Sequence, residues 1–208
     1  MKKLAILALA LGVSLFALNA TADGSAAAGK SKAAVCGACH GVDGNSASPQ
    51  FPKLAGQNAS YIVQQLSNFK SGKRANPIMS GQAKGLSDQD MQDIAAYFAS
   101  QTRLVGEADP GQVKQGESLY RSGNKDENVP ACLACHSPDG SGNALMKVPA
   151  LGGQHAAYVV AQLQAYASGS RTTDPNKMME TIASRLSPAE MQAVASYIEG
   201  LHAANPAP

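Results

Sequence analysis

Apolar side chains recur along the chain at helical spacing, in two matching sets. Met91, Ile94, Ala95 and Phe98 follow i, i+3, i+4, i+7, and Met191, Val194, Ala195 and Ile198 repeat the pattern, so each set lines one face of a helix. Both helices carry a start signal, since Ser87-x-x-Asp90 and Ser187-x-x-Glu190 read as capping boxes, the second with Pro188 in the first helical position. A middle helix is marked by Ile62, Leu66 and Phe69 and again by Val159, Leu163 and Tyr166, ending at Gly72 and Gly169. Residues 26–35 and 112–121 are further helical segments, each leading toward a pair of cysteines. Strand-like alternation is absent. The pattern predicts an all-α protein.

The two sets belong to an internal repeat with an offset of 96 to 100 residues. Phe51-Pro52-Lys53-Leu54-Ala55-Gly56-Gln57 matches Val148-Pro149-Ala150-Leu151-Gly152-Gly153-Gln154, and Tyr61-Ile62-Val63-Gln64-Gln65-Leu66 matches Tyr158-Val159-Val160-Ala161-Gln162-Leu163. A linker near residues 104–110 separates the halves. Ahead of them, Lys2 and Lys3, an apolar run to about Leu18 and then Ala20-Thr21-Ala22 form a secretory signal with a small-x-small cleavage site, too short to span a bilayer. The domains are therefore expected at 23–105 and 106–208, behind a cleaved signal at 1–22.

Composition sharpens this picture in two ways. With 44% hydrophobic residues but only 5% aromatic ones and no Trp, two domains of this size have thin aliphatic cores, so something other than side chains is expected to fill the interior. Removing Lys2 and Lys3 with the signal lowers the 17 Lys and Arg to 15, equal to the 15 Asp and Glu. Split by half, eight basic and five acidic groups fall in 23–105 and seven basic and ten acidic in 106–208, which predicts a dipole between the halves. No basic face suited to nucleic acid is present.

The chemistry lies in Cys36-Gly37-Ala38-Cys39-His40 and Cys132-Leu133-Ala134-Cys135-His136. Two sulfurs one helical turn apart, followed directly by an imidazole, can make two thioether bonds and one axial bond to a porphyrin, the c-type haem signature. Its recurrence in a repeat strengthens the reading. A zinc site built from the four cysteines would leave His40 and His136 without a role; disulfides or a dithiol site are rival uses of the same sulfurs. Met79 and Met179, each seven residues before the matched Leu86 and Leu186, are the candidates for the opposite axial position; Met178 and, more remotely, Met146 compete. Met91 and Met191 sit on the helical stripes as core, whereas Met79 and Met179 are expected in irregular Gly- and Pro-containing segments before them, where a loop could bring a thioether to iron. His155 and His202 read as surface or helix-end residues. Histidine–methionine ligation fills both axial positions, which suits electron transfer rather than substrate activation, and its neutral thioether raises the reduction potential.

These motifs, with Ala33-Ala34-Val35 before the first pair and Leu86-Ser87-Asp88, resemble the cytochrome c4 family, bacterial dihaem proteins of two tandem class I cytochrome c domains. The resemblance implies two domains about a pseudo-twofold axis, with the haem propionates near their interface. It assigns Cys36, Cys39, His40 and Met79 to a first covalently bound haem c and Cys132, Cys135, His136 and Met179 to a second. The carbonyls of Pro52 and Pro149 are then expected to orient the two histidines. It further implies a monomeric periplasmic carrier, loosely membrane-associated, that passes electrons from the cytochrome bc complex toward a terminal oxidase and is not itself an enzyme. A cytochrome subunit of a periplasmic dehydrogenase and a dihaem peroxidase are the rival readings.

Overall fold

The structure, a computed structural model, describes residues 23–202, so the signal segment 1–22 lies outside the described residues. Among the described residues ten α-helices follow in order: α1 (Ala26–Lys32), α2 (Gly37–His40), α3 (Ala59–Lys70), α4 (Pro77–Ala83), α5 (Asp88–Ala99), α6 (Val113–Ser122), α7 (Leu133–His136), α8 (Ala156–Ala167), α9 (Met178–Ala183) and α10 (Pro188–Gly200). The first five and the last five repeat one design. Two isolated bridges, Asn124 to Val129 and Asn143 to Val148, are the only strand-like pairings among the described residues.

The sequence signals act as read at the longest helices. The Ser87 and Ser187 hydroxyls accept from the N–H groups of Asp90 and Glu190, whose carboxylates accept in return from the serine N–H groups. The stripes they launch are buried: Met91, Ile94, Ala95 and Phe98 in one core, Met191, Val194, Ala195 and Ile198 in the other. Ile62, Leu66 and Phe69 of α3 join the first core, and Val159 and Leu163 of α8 join the second. In each half the first helix crosses the last, α1 on α5 and α6 on α10. The crossing depends on a glycine, because a Cβ on Gly29 would stand 1.9 Å from Asp93 O and one on Gly116 2.1 Å from Ala193 O. The backbones therefore touch where any side chain would separate them.

The helical segment expected at 112–121 is α6; it stops at Ser122, Gly123 takes a positive φ of 73°, and the Asn124–Val129 bridge closes a loop before Cys132. One expectation needs correction. Met79 and Met179 do not lie in irregular loops. Asn76 caps α4 with Pro77 in its first turn, and Met179 sits in the first turn of α9, so both residues are helical.

The halves meet through hydrogen bonds that exchange under the repeat. Gln57 Nε2 donates to Ala150 O at 2.9 Å and Gln154 Nε2 donates to Lys53 O at 2.9 Å, Lys53 and Ala150 being repeat equivalents. Arg74 donates to Gln65 of its own half and to Tyr158 and Gln162 of the other; Arg171 donates to Gln162 of its own half and to Tyr61 and Gln65 of the other. Such reciprocal pairing is the mark of a pseudo-twofold contact. His155, expected at the surface or a helix end, is the N-cap residue of α8 and is buried, its Nε2 donating to Ser46 O of the first half at 2.8 Å. His202 is exposed near the end of the described chain.

Candidate functional site

Helices α2 and α7 are single turns, and their function is one of spacing. His40 N donates to Cys36 O and His136 N to Cys132 O, both at 3.0 Å, which holds each pair of cysteines one turn apart beside the histidine. All four cysteines are free and partly buried. Burial pushes the Cys36 thiol up from its ordinary pKa and the Cys132 thiol up to about 11, the opposite of an activated thiolate. Among the described residues no three His, Cys, Asp or Glu side chains converge to hold a metal ion, so the two pairs do not combine into a zinc site.

Past each histidine the chain folds back to meet it. In the first half Leu54 N and Ala55 N both donate to Gly44 O; in the second Leu151 N and Gly152 N both donate to Gly140 O. Gly44 and Gly140 take φ of 82° and 75°, and a Cβ on either would stand 2.6 or 2.5 Å from the backbone it holds. These turns set Pro52 O 2.8 Å from His40 Nδ1 and Pro149 O 3.0 Å from His136 Nδ1. A carbonyl can only accept, so Nδ1 carries the proton and Nε2 keeps its lone pair. Burial lowers both histidine pKa values and the proline bond partly restores them. Each ring is therefore neutral at physiological pH, as a metal ligand must be.

The methionines face the same interiors. Met79 and Cys36 both pack against the first core, Met179 and Cys132 against the second. Met79 N donates to Asn76 Oδ1 at 2.9 Å and Met179 N to Asp174 Oδ2, so each thioether hangs from an anchored backbone. Met178 and Met146 instead point largely to solvent. In each half a cysteine and a methionine pack on one apolar cluster, and the histidine that ends the cysteine motif is buried with a free ring nitrogen, a donor set that fits a haem held covalently and axially.

Sequence reading missed the polar groups between the halves. Gln57, Gln154, Lys53 and Arg171 are all buried there, and Arg103 donates to Ala55 O, Ala150 O and Gly152 O. Burial alone lowers the Arg103 pKa, to about 10. The repetition of Gln57 and Gln154, Gln65 and Gln162, and Arg74 and Arg171 was the available signal.

The Cytochrome c family model matches the chain twice, over residues 26–102 and 113–202. The chain is 55% identical over 184 residues to the cytochrome c4 of Pseudomonas aeruginosa, covering 88% of this chain and 92% of that protein. It is 41% identical over 170 residues to the thiosulfate dehydrogenase electron acceptor of Stutzerimonas stutzeri, covering 79% of this chain and 78% of that one. The crystal structure of reduced recombinant cytochrome c4 from Pseudomonas stutzeri aligns with a TM-score of 0.84 at 51% identity, covering 86% of this chain and 100% of that one.

Proposed function

The chain belongs to the cytochrome c4 family of dihaem electron carriers, and from that premise we propose that it works in the periplasm, taking single electrons from a cytochrome bc complex and passing them toward a terminal oxidase. It carries two covalently bound haem c groups. In this reading Cys36 and Cys39 hold the first and Cys132 and Cys135 the second by thioether bonds. His40 and Met79 are the axial ligands of one iron, His136 and Met179 those of the other. The observation that supports the assignment is the twofold occurrence of a buried, proline-anchored histidine at the end of a cysteine motif whose first cysteine packs on the same apolar cluster as a methionine. Each haem, when bound, supplies a one-electron couple.

The chain's own residues make that couple fast and selective. Pro52 and Pro149 fix the imidazole orientation, and the anchored α4 and α9 hold the thioethers, which limits reorganisation between redox states. The apolar clusters keep water from the ligands. Between the halves, Arg74 and Arg171, with Tyr61 and Tyr158, present donors suited to the propionate carboxylates of both haems. Partners are redox proteins, met by a monomer loosely associated with the membrane; among the described residues no helix is long and apolar enough to cross one.

A redox titration of the purified holoprotein followed by optical spectroscopy tests the assignment. Two high-potential steps with the methionine-to-iron band present support it; two low-potential steps without that band overturn it. Likeness to a thiosulfate dehydrogenase electron acceptor favours a second reading of the donor, a periplasmic dehydrogenase in place of the bc complex. Reduction of the oxidised protein by one of these two donors, at a rate matching turnover, decides between them.

A further inference from the structure

Each domain holds its histidine through a peptide group that the other domain holds in turn. The carbonyl accepting from His40 Nδ1 at 2.8 Å belongs to Pro52, and the N–H of that same peptide group, Lys53 N, donates to Gln154 Oε1 at 2.8 Å. Gln154 closes the clamp by donating from Nε2 to Lys53 O at 2.9 Å. The second domain repeats this with the roles exchanged. His136 Nδ1 donates to Pro149 O at 3.0 Å, Ala150 N donates to Gln57 Oε1 at 2.8 Å, and Gln57 Nε2 donates to Ala150 O at 2.9 Å. Both glutamines are at least 95% buried, at 5% and 4% exposure, so water does not compete for these bonds.

We infer that Gln154 is a positioning residue for the first haem's axial histidine and Gln57 for the second's, each acting from the opposite domain. A peptide group whose N–H is given to a good acceptor is more strongly polarised, and its oxygen accepts more strongly in turn. A stronger bond at Nδ1–H makes the imidazole a richer donor through Nε2, which favours ferric iron and lowers the reduction potential. The domain that does not carry a given haem thus sets part of its potential. Because Gln57 and Gln154 sit in one interface, a change in how the domains meet shifts both haems in the same direction.

The inference rests on His40 and His136 being axial ligands, as proposed above. Its test uses the holoprotein in the reduced, diamagnetic state, reading the assigned Nδ1–H resonances of His40 and His136 by NMR, alongside a redox titration resolved for each haem. Gln154→Leu should move the His40 Nδ1–H proton upfield and raise the first haem's potential while leaving His136 in place; Gln57→Leu should do the mirror image. Shifts in the variant's own domain, equal shifts in both domains, or none at all would overturn it. His155→Phe, which removes the Nε2 bond to Ser46 O across the same interface without touching either peptide group, is the control. If it reproduces the Gln154→Leu pattern, the effect is loss of packing and the inference fails. Absence of the methionine-to-iron band in the wild-type protein would instead remove the ligand assignment itself.

Discussion

What a methionine can do depends on where its thioether faces. The repeat singled out Met79 and Met179 from the sequence, and the structure turns both toward the cores while Met178 faces solvent. Met79→Ala and Met179→Ala should each remove one of two methionine-to-iron bands and lower that haem's potential, leaving the other haem unchanged; Met178→Ala should leave both bands intact in the same spectra. A second effect at this scale is confined to one half. Lys32 Nζ lies 2.7 Å from both Asp90 and Asp93, and the Lys32 hydrogen bond, with that from Ser25 N, holds the Asp93 pKa down to about 2. A carboxylate depressed in the folded state stabilises the fold above its unfolded pKa of about 4 and loses that contribution as pH falls through about 2. The α1–α5 contact should therefore loosen in that acid window, and Asp93→Asn should flatten the decline in melting temperature there. Ala193 stands at the equivalent position, so the second domain lacks this response. The residues sequence reading missed are those whose partners are remote: Gln154 meets Lys53 101 positions away, and a repeated glutamine looks the same in sequence whether it faces solvent or a second domain.

Helices were the most legible level. Capping boxes and apolar stripes located α5 and α10, and the middle helices ended at the glycines expected, because these signals are local and the cores they feed are each built within one half. The cysteine motifs were legible for the same reason. Shorter elements were not: α4 and α9 present too few apolar positions to show a period, although Asn76 before Pro77 was a readable start signal. The loop between α6 and Cys132 was missed because its turn rests on a backbone bridge that no side-chain pattern records. The crossings predict that Gly29→Ala and Gly116→Ala each lose about 1–3 kcal/mol net, since forcing α1 from α5 or α6 from α10 outweighs the roughly 1 kcal/mol of helix propensity gained. Chemical denaturation of the holoprotein measures this. Ser187→Ala should cost about 1 kcal/mol in the same assay by removing the N-cap of α10.

At the scale of the molecule, the expected dipole changes character. Lys53, Arg74 and Arg103, three of the first half's eight basic groups, lie between the domains, as does Arg171 of the second. The outward face of the first half is then close to neutral, the second half stays acidic, and the positive charge forms a seam. Association with a partner that docks through a basic patch on the second half should slow as ionic strength rises, while docking on the first half should respond weakly; stopped-flow rates against salt distinguish them. Arg171 is buried and donates to Tyr61 and Gln65 across the seam, so Arg171→Met should weaken domain pairing by about 2–5 kcal/mol, seen as one denaturation transition separating into two. Arg74→Met should cost less, because that side chain is half-buried. The exchanged glutamine clamp has a consequence for assembly as well. A module that carries both the glutamine and the peptide group it grips is self-complementary, so two copies of one shorter chain could close on each other through these same bonds. Joining the copies in a single polypeptide releases them from identity, and Lys53 opposite Ala150, Asn58 opposite His155 and Asp93 opposite Ala193 are positions where the two halves differ.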